Sequence, residues 1–112
     1  MTAPNPAFLC RFTVDITLAA GVAQSVDLPI NGAHNWLAVV KNTGGANAIT
    51  AMTVASSPLG TLFEDASSVT SGIPITPGSA ICARGTNEPA TTVRLTLTST
   101  SGTTVSIEAG GW

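Results

Sequence analysis

From Cys10 to Leu18 the chain alternates without a break. Cys10, Phe12, Val14, Ile16 and Leu18 are apolar, and Arg11, Thr13, Asp15 and Thr17 between them are polar. Successive side chains of a β-strand point to opposite faces, so this run specifies a strand with one buried and one wet face. The even apolar set continues past Ala19-Ala20-Gly21 in Val22, Val26, Leu28 and Ile30. A three-residue hairpin loop needs its last residue in the left-handed region, which glycine reaches without steric cost. Gly21 stands at that position. Pairing Leu18 with Val22 then sets Val14 near Val26 and Phe12 near Leu28, so turn and register together predict a β-hairpin.

The C-terminal part repeats the pattern. Val93, Leu95 and Leu97 alternate with Thr92, Arg94, Thr96 and Thr98, and Val105 and Ile107 alternate with Thr104, Ser106 and Glu108. Thr100-Ser101-Gly102 lies between them. The same loop chemistry predicts a second hairpin, with Leu97 near Val105 and Leu95 near Ile107. Trp36 to Val40 is apolar on both faces and reads as a central strand, closed by the turn cluster Asn42 to Asn47. Ala48 to Ala55 is a further strand, Ser57-Pro58-Leu59-Gly60 a turn, and Leu62-Phe63 an inward-packing pair. Thr76-Pro77-Gly78-Ser79 has the Pro-Gly centre of a type II turn, and Ala80 to Arg84 is a short strand. No segment shows a convincing helical period, and the β-branched residues disfavour helix further. The expectation is an all-β chain: an antiparallel β-sandwich or small barrel of about seven to eight strands, jelly-roll or immunoglobulin-like.

Composition fits one domain of this kind. Of 112 residues ten are charged, while Ser and Thr number ten and seventeen. Val, Ile, Leu and Phe total 27, enough for a core and too many for a disordered chain. The expected organisation is an extended N-terminal arm over 1–7, a sandwich domain over 8–109 and a flexible C-terminal tail over 110–112. A net charge of −2 with Arg11, Lys41, Arg84 and Arg94 scattered excludes a phosphate-gripping nucleic-acid domain. No apolar run is long enough to make a membrane-spanning helix. The N-terminus has no secretory signal pattern, which reads as synthesis in the cytoplasm. Cys10 and Cys82 are then expected to be reduced and buried, although one bridge is possible in an oxidising compartment.

Residues able to carry chemistry are few. His34 is the single histidine, and no Gly-x-Ser-x-Gly elbow offers a nucleophile for it. Two cysteines 72 positions apart plus one histidine lack zinc-ligand spacing, and Glu64-Asp65 lacks the alternating oxygens of a calcium loop. Gly44-Gly45 and Gly110-Gly111 are followed by no Lys-Ser/Thr, so they read as turns or flexible ends. No catalytic residue, cofactor, metal or small-molecule substrate is therefore expected. Binding energy must come from surface, and the candidate interface residues are Pro4, Asn5, Pro6, Trp36 and Trp112. Pro4 and Pro6 favour extended polyproline geometry, making the arm either a disordered terminus or a strap across a partner. Trp36 is most simply core. Trp112 follows two glycines and either folds back onto its own sandwich or fills a pocket on a neighbour.

The Ser/Thr/Ala-rich strands, the segment VVKNTGGANAIT (39–50) and the turns within SSPLGTLFED (56–65) and ITPGSA (75–80) give the chain a recognisable style. It resembles small β-sandwich bacteriophage virion proteins of the kind that decorate or cement a capsid. The resemblance implies a non-enzymatic protein on the outer capsid surface. It also implies the major capsid protein and copies of itself as partners, as a trimer or other homo-oligomer. The competing reading is a secreted carbohydrate-binding or adhesive sandwich, or a phage tail or fibre module. A shortage of aromatic residues for stacking sugars weighs against the carbohydrate reading.

Overall fold

The structure, a computed structural model, describes residues 10–87 and 89–112. Eight strands occur among them: β1 (Cys10–Leu18), β2 (Gln24–Ala33), β3 (Trp36–Asn42), β4 (Ala51–Ser57), β5 (Ser67–Ser68), β6 (Ala80–Gly85), β7 (Ala90–Thr98) and β8 (Thr103–Gly111). There is no helix among the described residues. The strands form two antiparallel four-stranded sheets, ordered β1-β8-β3-β6 and β2-β7-β4-β5. The chain passes from one sheet to the other at every connection except β4–β5. Two such interleaved sheets are a jelly roll, which decides between the two sandwich topologies open to the sequence.

The two predicted hairpins do not form. β1 pairs with β8, placing Val14 opposite Ile107 and Ile16 opposite Val105, and β2 pairs with β7, placing Leu28 opposite Val93. The loops at 19–23 and 99–102 each carry the chain across the sandwich to the other sheet. The physical reason is simple. Alternation states which face of a strand is apolar, and a facing strand satisfies it as well as a lateral one. The turn residues themselves stand as expected, with Gly21 at φ 70° and Gly102 at φ 86°. The two loops also meet, because Gly21 N–H donates to Ser99 O at 2.9 Å.

The interior is filled from both sheets. Trp36, Ala38 and Val40 of β3 and Val105, Ile107 and Ala109 of β8 face Leu28 and Ile30 of β2, Met52 of β4, and Val93, Leu95 and Leu97 of β7. β3 is central as predicted, but it is not apolar-buried on both sides. Leu37 is half-buried and Val39 is 38% exposed, because no layer covers the outer face of that sheet. Cys82 lies opposite Val39 on the same outer face and is exposed, whereas Cys10 is half-buried with its thiol 3.2 Å from Ile30 O. Both are free, as expected, but Cys82 is not buried. Three strand spacings, about 14 Å, separate their strands, beyond the roughly 7 Å a disulfide spans.

Asn42, at the end of β3, is completely buried and bonded on every side. Its amide donates to Asn47 O at 2.8 Å and Ile75 O at 2.9 Å. Its carbonyl accepts from Thr103 Oγ1 at 2.8 Å and Gly44 N at 3.0 Å. One side chain thus joins the 42–50 connection to β8 and to the 75–79 turn. That turn is the predicted type II, with Gly78 at φ 81° and Ser79 N–H donating to Thr76 O.

The last residues are strand, not tail. Gly110 and Gly111 are buried between β1 and β3, with Gly111 opposite both Cys10 and Trp36. A Cβ at Gly111 would stand 2.8 Å from the Ala33 side chain, so glycine here permits close sheet packing and not a hinge.

Candidate functional site

The candidate interface residues separate on the structure. Pro4, Asn5 and Pro6 lie outside the described residues. Trp36 is 3% exposed and belongs to the core. Trp112 is half-buried, and its backbone pairs with Asn35 in both directions at 2.9 and 3.0 Å. It is therefore fixed to its own sandwich beside β3. His34 is exposed in the loop after β2, and no group of three or more metal-ligating side chains occurs among the described residues.

What the sequence did not single out is the connection after β4. Leu59 and Leu62 are 91% and 82% exposed there, so the expected inward packing of Leu62 is overturned. The loop is braced from below. Gly60, at φ 93°, donates its N–H to Ser57 Oγ at 2.9 Å, and Thr91 Oγ1 donates to Pro58 O at 2.9 Å. Phe63 does turn towards the protein, where the Arg94 guanidinium lies 4.0 Å from its ring centroid. That guanidinium is itself held by Asp27 on the neighbouring strand, through Nε at 2.7 Å and a second nitrogen at 3.0 Å. The hydrogen bond from Arg94 holds the Asp27 carboxyl below the usual carboxylate range, against a small opposing effect of burial. Both side chains are substantially exposed, so the pair orients Phe63 more than it stabilises the fold. Phe63 is half-buried against outward-facing residues of β2 and β7 and takes no part in the core, so the expected inward packing fails for both residues of the pair.

A second surface is the uncovered face of the β1-β8-β3-β6 sheet. The registers set Arg11, Gly110, Leu37 and Arg84 in one row, Thr13, Glu108, Val39 and Cys82 in the next, and Asp15, Ser106, Lys41 and Ala80 in a third. Three of the four basic residues scattered in sequence thus share one face with two acids. Apolar Leu37 and Val39 sit between them, an apolar centre within a charged surround.

Where β6 and the short β5 leave the sandwich open, a cleft of about 330 Å³ is lined by Trp36, Glu64, Asp65, Ser67, Ser68 and Arg84 among others. The Trp36 indole N–H is buried and finds no acceptor among the described residues. An unpaired buried donor costs about 1–3 kcal/mol.

No protein-family model matches the chain, and no curated protein is similar to it in sequence. Solved structures are similar in fold. The Yersinia pseudotuberculosis-derived mitogen aligns with a TM-score of 0.52 at 9% identity, over 92% of this chain and 86% of that one. Chitosan-binding module 1 of a chitosanase/glucanase from Paenibacillus sp. IK-5 aligns with a TM-score of 0.54 at 18% identity, over 87% and 75%. The VP2 subviral particle of infectious bursal disease virus aligns less well, with a TM-score of 0.47 at 13% identity, over 98% of this chain and 34% of that one. Identities this low show the fold and no more: the chain is a β-sandwich.

Proposed function

We propose that the chain is a non-enzymatic structural protein that works by docking its surface on other proteins, as a decoration protein on the outside of a bacteriophage capsid. Its partners are then the major capsid protein and further copies of itself, and its place is the virion surface. The observation that carries this reading is the braced loop with Leu59 and Leu62 exposed at its tip. Fully burying a leucine is worth about 1.5–3 kcal/mol, so two on a pre-ordered loop form a compact anchor. A loop that is already ordered loses little freedom on docking, and contacts repeated by capsid symmetry multiply a modest single affinity. The apolar-centred sheet face offers a second contact surface of the same kind. The general use of jelly rolls in viral shells agrees with this reading.

The test is immunogold electron microscopy with antibody to the purified chain, applied to particles from cultures that produce it. Regularly spaced label on shells is the expected result. Label confined to free protein or to cell surfaces overturns the capsid assignment. The double variant Leu59→Asp/Leu62→Asp should keep its melting temperature and lose attachment by at least about tenfold. Unchanged attachment would remove the loop from the interface.

A further inference from the structure

We propose that the free edge of β6 pairs with β6 of a second copy of this chain, joining two sandwiches through one continuous sheet. The starting point is the direction of the backbone groups. In an antiparallel ladder one residue turns its N–H and C=O to one neighbouring strand, and the next residue turns them to the other. Asn42 N–H donates to Ser79 O at 3.0 Å where the β3–β6 ladder begins. At the far end of β3, Asn35 and Trp112 exchange bonds on the β8 side. Both fix the same phase. Trp36, Ala38 and Val40 bond to Gly85, Ala83 and Ile81, so Ala80, Cys82 and Arg84 direct their backbone groups to the open edge. β6 is the last strand of its sheet, and no described segment pairs with it on that side. The other three edges are guarded. β2 carries Pro29 and an irregularity between Pro29 and Ala33, and β5 is two residues long. β1 carries Arg11 and Asp15 and packs against β2 of the other sheet. β6 has only Arg84 as a charge, and its inner side presents Ile81 and Ala83, half-buried against the core.

Register decides what fits this edge. Two copies of β6 related by a two-fold axis run antiparallel and present the same residues to each other. One register pairs every outward residue of both strands. It sets Cys82 opposite its counterpart and Ala80 opposite Arg84 of the second copy, so each outward N–H meets a C=O. Any slip leaves at least one residue of each strand unpaired. The same register spares the charges. The two Arg84 side chains stand at opposite ends of the seam, four residues or about 14 Å apart, beyond the screening length of about 8 Å. On the inner side it sets Ile81 opposite Ala83 of the second copy, a non-hydrogen-bonded pair whose side chains approach closely. Ala83 borders the cleft together with Val54 and Val69, so the incoming Ile81 arrives beside apolar side chains. Pairing β6 with β1 of another copy would instead repeat without closing. The two-fold contact deepens the part of the proposed function that gives the chain copies of itself as partners, and it rests on no capsid.

The experiment uses the purified chain alone, under reducing conditions. Sedimentation equilibrium up to about 1 mM should show monomer and dimer with no larger species. Cys82→Pro removes an outward N–H that the β3 ladder does not use, and should weaken the dimer at least about tenfold. A second arm reads the register and does not depend on that variant folding. In a Cys82→Ser background, Ala80→Cys and Arg84→Cys are each made at exposed positions. A bifunctional thiol reagent with a one-carbon spacer should join the two proteins far faster when they are mixed than either one alone. Opposite residues stand about 5.5 Å apart between Cα atoms, whereas like positions are separated by the length of the seam. A chain that stays monomeric throughout overturns the proposal, and so does an open series of larger species, the mark of β6 meeting β1. It is equally overturned if the mixture cross-links no faster than its parts, or if folded Cys82→Pro associates like the parent. A monomeric chain that still labels shells would strike this contact and leave the capsid reading standing. A dimer found without shell labelling would do the reverse.

Discussion

Replacing Asn42 by Ala should destabilise the fold by about 3 kcal/mol, through a residue that touches no proposed site. The magnitude follows from what the amide leaves behind. Ile75 O keeps a second donor, Ile49 N at 3.0 Å, so its loss is partial. Thr103 Oγ1, buried, and Gly44 N, partly buried, are left without their acceptor. Asn47 O loses its donor at a site water can reach in part. Each fully buried orphan costs about 1–3 kcal/mol and the accessible ones less, which sums to about 3 kcal/mol. The assay is urea unfolding followed by Trp36 fluorescence, where the midpoint should fall with its slope unchanged. Asn42→Asp adds a sharper check. It keeps the acceptor oxygen but points a second one at two carbonyl oxygens, so its folded-state carboxyl is raised above the unfolded value. A raised carboxyl binds its proton more tightly when folded, so this variant should gain stability as pH falls from 7 towards 5. Asn42→Ala should show no such gain. A loss below about 1 kcal/mol for Ala, or a flat pH response for Asp, would refute the reasoning.

Gly102→Ala should cost more than Gly21→Ala, because a Cβ at 102 would stand 3.0 Å from Leu18 O while one at 21 meets nothing within 4 Å. Thermal melts should order the two variants accordingly, with both below the parent. The Asp27–Arg94 pair should contribute stability above about pH 4, the unfolded aspartate value, and lose it as pH falls through the lower folded value. The gap between parent and Asp27→Asn should therefore close on acidification. Thiol titration should find one fast-reacting group, Cys82, in the native protein, with Cys10 slow. Two groups should react after unfolding.

The strand inventory was legible because alternation at Cys10–Leu18, Val93–Thr98 and Val105–Ile107 is a local property of the chain. Turn glycines were legible for the same reason, since φ at Gly21, Gly78 and Gly102 is decided by four or five neighbouring residues. Partner choice was not local. Nothing between Leu18 and Val26 distinguishes a strand lying beside β1 from one lying across the core from it. The same limit hid the candidate sites. Leu62 and Phe63 are adjacent and similar in apolarity, and the group that Phe63 lies against, the Arg94 guanidinium, is distant in sequence and anchored by Asp27. The isolated residue Asn42 looked like part of a turn cluster because its four partners come from three segments.

The position of β7 and β8 has a consequence for how the protein is made. Both are interior strands of their sheets: β8 joins β1 to β3, and β7 joins β2 to β4. As the ribosome delivers the chain, β1 and β2 emerge first and wait, with no lateral partner, until nearly all the rest has been synthesised. An apolar strand with two unpaired edges is the state most open to pairing with another chain. Waiting of that kind is also slow to resolve, because closing distant segments must precede any reward from their contact. The scarcity of long apolar runs and the threonine on alternate positions of β1 and β7 keep such a nascent chain in solution meanwhile. Yield during synthesis should thus depend on those outward threonines more than the stability of the finished fold does.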